Sequence, residues 1–233
     1  MSNFGLYEER IRNFDWSIAE KELEYRDGDV LNIGWYCSDR ICLKGKGDKT
    51  ALIYEGFGGI NKEYTFNDIR IAGNVIGKFL RNLGIKSEDR VCLFMDRIPE
   101  LYLSFLGTLK IGAIVQPLFS AFGEESLFIR LENAQTRAII TQSKHLSKIR
   151  KIRERLPNLE FIIIVDYTAA KKLENTEIVF SLDESAPVEN LEIYPATAES
   201  PSERGSGNKS PSRFYKLLLT IYCILCIFNL RDK

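Results

Sequence analysis

An alternation dominates this sequence. From residue 50 to 166, short apolar runs take turns with longer stretches in which apolar residues recur every three or four positions. Short runs bounded by turn residues suit buried strands, and the longer period suits helices with one covered face. Ala51-Leu52-Ile53-Tyr54 reads as a first short strand. Thr65-Phe66-Asn67-Asp68 is a helix-start signal, because a threonine hydroxyl and an acidic group three residues on can each satisfy the other's free backbone N–H. Phe66, Ile69, Ala72, Ile76, Phe79 and Leu83 then mark one face of a helix that ends at Gly84. Arg90–Met95 is a second strand, and Pro99-Glu100 opens a helix to about Lys110, with proline in the first turn and glutamate at the positive end. Ala113–Leu118 is a third strand, Glu124–Ala134 a helix, Arg137–Thr141 a fourth strand, Ser143–Leu156 a basic helix and Glu160–Asp166 a fifth strand.

Strands that are apolar end to end must be covered on both faces, and their alternation with helices supplies the cover. The predicted fold is therefore α/β: a doubly wound, mostly parallel sheet with helices on both faces. Residues 1–48 form a polar, aromatic-rich leader with a short helical patch around Ile18–Glu24, residues 49–195 the α/β domain, and residues 196–233 a linker and an irregular tail. The composition turns to Ser, Pro and Gly between Pro195 and Ser212, and an apolar run from Leu217 to Phe228 follows.

Composition narrows the function. Lys+Arg and Asp+Glu both total 32, so no general basic field is present to hold a nucleic acid. The lone histidine, His145, excludes a zinc site built on several histidines, and no metal site is expected. Five cysteines, with a charged first thirty residues and no apolar leader run, point to a reduced cytoplasmic protein without a disulfide framework.

Local motifs give little chemistry. Gly56-Phe57-Gly58-Gly59 lacks dinucleotide-loop spacing and reads as a hairpin-like turn; Gly205-Ser206-Gly207-Asn208-Lys209-Ser210 lacks the strand and helix that a phosphate loop needs. Cys37 and Cys42 have no second ligand pair, and Cys223-x-x-Cys226 lies in an apolar run without a redox-fold context. Asp96 follows a strand and reads as a solvated strand end. Lys144, Lys148, Arg150, Lys151, Arg153 and Arg155 read as a solvated basic helix face. No nucleophile–base pair is visible, and no catalytic residue is assigned.

Several segments, in order, resemble the AMP-forming acyl-CoA synthetases of the adenylate-forming superfamily. Tyr64-Thr65-Phe66-Asn67-Asp68-Ile69 is similar to their first core motif, Gly84 to Val91 to a glycine-led turn and strand, Ile98-Pro99-Glu100-Leu101 to the next helix start, and Leu109 to Phe119 to the second core motif. Phe14-Asp15-Trp16, Leu31-Asn32-Ile33, Asp39-Arg40 and Phe119-Ser120-Ala121-Phe122 resemble the acetate-type branch. The resemblance implies the N-terminal subdomain of the adenylate-forming fold. It also implies a ligase that uses ATP and Mg²⁺ to turn acetate or a short acyl acid into an acyl-adenylate, then transfers the acyl group to coenzyme A. By the same resemblance Phe119, Ser120, Ala121, Lys148 and Arg150 lie near coenzyme A, although Ser120 and Ala121 stand where the family commonly has glycines.

The family's Thr-Ser-Gly phosphate loop is due soon after Ser202, where the sequence instead runs into Glu203-Arg204-Gly205-Ser206. The expectation is a chain cut off before that loop, with residues 203–233 as an out-of-frame ending. Such a chain is expected to be inactive alone, to bind ATP and coenzyme A poorly, and to need a complementary C-terminal polypeptide for catalysis. The alternatives are a non-catalytic remnant and a short tail-anchored α/β binding module held by residues 214–230.

Overall fold

The computed structural model describes residues 7–26, 31–166, 173–174 and 176–182. The linker, the apolar tail, the Gly205 segment and Cys223-x-x-Cys226 lie outside the described residues.

Helices α1 (Tyr7–Asn13), α2 (Trp16–Leu23), α3 (Ile33–Tyr36) and α4 (Asp39–Ile41) form the leader, with a kinked turn at Cys42–Lys46 in which Gly45 takes φ +72°. Strands β1 (Thr50–Glu55) and β2 (Asn61–Thr65) follow, then α5 (Phe66–Asn82), β3 (Arg90–Phe94), α6 (Pro99–Lys110), β4 (Ile114–Pro117) and α7 (Glu124–Asn133). The order closes with β5 (Ala138–Thr141), a 3₁₀ turn (Ser143–His145), α8 (Leu146–Arg153), β6 (Phe161–Ile164) and β7 (Glu177–Val179).

Five strands form a parallel sheet in the order β4-β3-β5-β6-β7. Successive side chains of a strand point to opposite faces, so each strand feeds two cores. Val91, Leu93 and Met95 join Ile140 and Ile163 beneath Ile69, Ile76 and Leu80 of α5 and Leu103 of α6. Cys92 and Phe94 join Ile139, Ile162 and Ile164 beneath Leu127 and Leu131 of α7 and Ile149 and Ile152 of α8. The sheet is thus wound on both faces.

The start of α5 follows its sequence closely. The Thr65 hydroxyl accepts from the Asp68 amide at 3.2 Å, and the Asp68 carboxylate accepts from the Thr65 amide at 2.7 Å. Gly84, just beyond the helix, takes φ +84°, which glycine adopts without strain.

Two strands depart from expectation. β1 lies outside the parallel sheet and pairs antiparallel with β2 as a separate ribbon. Its apolar residues cover one face only: Leu52 packs on the core while Ile53 is 62 % exposed. Gly58 and Gly59, at φ +80° and +82°, turn the chain back, so the glycine segment is a hairpin turn. β7 adds a fifth parallel strand that the sequence analysis does not assign, its apolar run being only Ile178-Val179-Phe180; its Glu177 is buried against Arg150, whose Nε donates at 2.7 Å. The basic helix also starts later than its sequence suggests, with a 3₁₀ turn ahead of α8.

The leader is fastened to α6. Asn32 caps α3 by accepting from the Trp35 amide at 3.0 Å, and its own amide donates to the Lys110 carbonyl at 2.9 Å. Lys110 is fully buried, and its ammonium meets Asp39 Oδ2 at 2.6 Å, Asn74 Oδ1 at 2.6 Å and the Arg70 carbonyl at 3.2 Å.

Candidate functional site

The chain leaves β3 for β4 on one side and returns to β5 on the other, so the strand order reverses direction beside β3. Loops diverge at such a point and leave a crevice at the carboxyl ends of the strands, the usual ligand position in open α/β sheets. Three segments meet there: Met95-Asp96-Arg97 after β3, Leu118–Phe122 after β4, and Gln142–His145 after β5.

Asp96 ties the first and third together. Its amide donates to Gln142 Oε1 at 2.9 Å. Its carboxylate accepts from the Lys144 ammonium and, at 3.3 Å, faces His145 Nε2. The Lys144 bond holds the Asp96 carboxyl down at about 2, so it is ionised at neutral pH and engaged with donors. His145 is buried, with its ring centroid 5.1 Å from that of Phe94. Burial pushes its pKa below the usual histidine value, against the opposing pull of Asp96. The arrangement fixes loops and presents charge.

A cleft of about 990 Å³ opens over this cluster. Its walls are the β1–β2 ribbon at Leu52–Phe57, the start of α6 at Ile98, Leu101 and Tyr102, and the loop Pro117–Ser120; Asp96, Gln142 and Lys144 contribute polar groups. Arg97, exposed, also lines it.

Of the residues singled out by resemblance, Phe119, Ser120, Ala121 and Lys148 come together. Phe119 is 69 % exposed and meets Phe122 edge to face at 6.1 Å. Ala121 is exposed. Lys148 Nζ donates to the Ser120 carbonyl at 3.1 Å and the Phe122 carbonyl at 3.0 Å. Arg150 is directed elsewhere: it clasps Glu177 through two bonds of 2.7 and 2.8 Å and lies 3.2 Å from Glu174. Two more of the basic residues are paired with acids, Lys151 with Glu124 at 2.5 Å and Arg155 with Glu125 at 2.9 Å, while Arg153 donates to the Leu156 carbonyl at 3.0 Å. Asp96 is more than a solvated strand end, and its link to Gln142, Lys144 and His145 is absent from the sequence reading. The available signal was positional: all of these residues immediately follow the two strands that flank the switch point.

Among the described residues no group of three or more His, Cys, Asp or Glu could hold a metal ion, and no helix is long and apolar enough to cross a membrane.

Comparison with known proteins agrees with this architecture. The acetyl-coenzyme A synthetase of Bacillus subtilis (strain 168) is 35% identical over 192 residues, covering 82% of this chain and 32% of its own length. That of Halorhodospira halophila is 29% identical over 163 residues, covering 66% of this chain and 25% of its own. The chain thus spans about a third or less of the curated relatives it matches. The crystal structure of a Brucella canis acyl-CoA synthetase superposes with a TM-score of 0.65 at 27% identity, over 74% of this chain and 30% of that one. An anthranilate CoA ligase in complex with anthranoyl-AMP superposes with a TM-score of 0.53 at 27% identity, over 58% of this chain and 25% of that one. Residues 40–205 match the family described as AMP-binding enzyme, and with the parallel sheet and its switch-point crevice in place, the chain belongs to that family.

Proposed function

We propose that this chain is the amino-terminal part of an AMP-forming acetate– or short-acyl–CoA ligase. The observation that carries the reading is the 35% identity to an acetyl-coenzyme A synthetase over 82% of the chain. The acetate-type leader segments and the loop at Phe119–Phe122 support it. In such an enzyme a carboxylate oxygen attacks the α-phosphorus of ATP and pyrophosphate leaves; the coenzyme A thiol then attacks the acyl carbon and AMP leaves. Magnesium would neutralise phosphate charge in the first step.

This chain's share is the coenzyme A side. Exposed Phe119 offers an aromatic face at the mouth of the crevice, beside Ser120 and Ala121. The sequence contains no Thr-Ser-Gly phosphate loop. In the proposed reading, which follows the family resemblance, ATP and magnesium belong to a complementary C-terminal polypeptide, and the chain by itself is inactive and cytoplasmic. In this reading residues 1–48 are the leader and 49–195 the N-terminal subdomain.

Acetate-dependent exchange of pyrophosphate into ATP tests the proposal. The purified chain alone is expected to give no exchange. Addition of the C-terminal two-thirds of the Bacillus subtilis relative is expected to restore it. Exchange by the chain alone overturns the inactivity, and an inactive mixture overturns the complementary-partner reading.

A further inference from the structure

We propose that Lys148 is a positioning residue, a strap that holds the β4–α7 loop in the shape that presents Phe119 and Ser120 to the crevice. The inference rests on the coenzyme A–ligase reading of that loop, but gives Lys148 a different task from contact with the ligand.

Lys148 stands on α8, across the switch point from the loop. Its ammonium donates to two carbonyls of one turn, Ser120 at 3.1 Å and Phe122 at 3.0 Å. It also lies 5.6 Å from the centroid of the Phe94 ring, on the sheet below. An ammonium has three protons to donate, and in this position two are engaged with backbone of the same loop. The turn they close is marked by the Phe122 amide, which donates to the Phe119 carbonyl at 3.0 Å. Another tether grips the loop by a side chain: Arg130 lies 4.2 Å over the Phe122 ring. Lys148 grips the backbone, at two points.

Ser120 and Ala121 place Cβ atoms in this turn, and a strap on the carbonyls keeps it in one conformation. A lysine half-buried in this way, with its charge on carbonyl oxygens, has its head directed into the loop.

Amide hydrogen exchange on the full chain tests the strap. In K148M the Phe122 amide is expected to exchange about tenfold faster or more, while the amides of β3 and β5 keep their protection. In K148R, whose guanidinium also spans two carbonyls, protection is expected to return toward that of the unaltered chain. Unchanged Phe122 exchange in K148M overturns the proposal, as does a K148R variant as loose as K148M. Where K148M does not fold, K148Q, with a polar head too short to reach both carbonyls, carries the same comparison. Titration with coenzyme A of the chain mixed with the C-terminal two-thirds of the Bacillus subtilis relative, the mixture in which binding is expected, separates this inference from the function beneath it. Weaker binding in K148M with Phe122 exchange unchanged makes the lysine a direct contact and overturns the strap. Loosened exchange, with no mixture binding coenzyme A, leaves the strap standing and removes the coenzyme A reading.

Discussion

Lys110 closes α6 with its ammonium wholly inside the protein. Burial disfavours a charged amine and pulls its pKa below the usual lysine value, while Asp39 opposes the shift. The compensation is local and complete: one carboxylate, one amide oxygen and one carbonyl. Removing one partner of such a pair leaves the other charge buried and unmatched. Lys110→Met is therefore expected to lower stability by about 3–5 kcal/mol in urea denaturation, and adding Asp39→Leu is expected to recover much of it. A small effect of the single change would show that the pair is hydrated in solution. Legibility at this scale was uneven. Thr65 and Asp68 act through neighbours three residues apart, so the capping box was readable. A lysine at the polar end of an apolar helix reads as solvent-facing; only the leader, some seventy residues away in sequence, buries it.

At the scale of elements, α5 and α6 pack through glycine. A Cβ on Gly107 would sit 2.8 Å from the Gly73 carbonyl oxygen and 2.8 Å from Ile76 Cβ. Neither obstacle is the far end of a flexible side chain, so the helices themselves would have to separate. Gly107→Ala is expected to destabilise by about 1–3 kcal/mol despite alanine's better helix propensity, read as a lowered melting temperature. A raised melting temperature would mean that propensity outweighs the close approach. Sequence reasoning found α5, α6 and α7 because a covered helix face and its ends leave a periodic signature. It found β3, β5 and β6 because strands buried on both faces are apolar throughout. It placed β1 among them because a four-residue apolar run says nothing about which neighbour it pairs with. It passed over β7 because Glu177 is acceptable inside only once Arg150 is known to meet it.

For the whole molecule, the crevice was implied by topology: any doubly wound sheet has one where its winding reverses. Its contents were not, because Asp96 meets Gln142 and Lys144 only after two separate loops have been positioned. The two sides of this crevice are built differently. One is the carboxyl end of a five-stranded sheet sandwiched between helices. The other is a two-stranded ribbon that rests on the core through Leu52 and Tyr64 and carries exposed Ile53, Phe57 and Ile60. Two strands alone are marginally stable in water. Amide hydrogens of Ile53 and Glu63 are thus expected to exchange at least about a hundredfold faster than those of Leu93 and Ile140, and equal rates would refute the difference. In mechanical terms the crevice is a vice with one fixed jaw and one compliant jaw. On the proposed coenzyme A reading, the fixed jaw, with Asp96 and the strapped loop, would set what is recognised. On the same reading the compliant jaw would set how large an occupant is gripped, and substitutions in the ribbon are expected to alter that size range while leaving the chemistry of recognition in place.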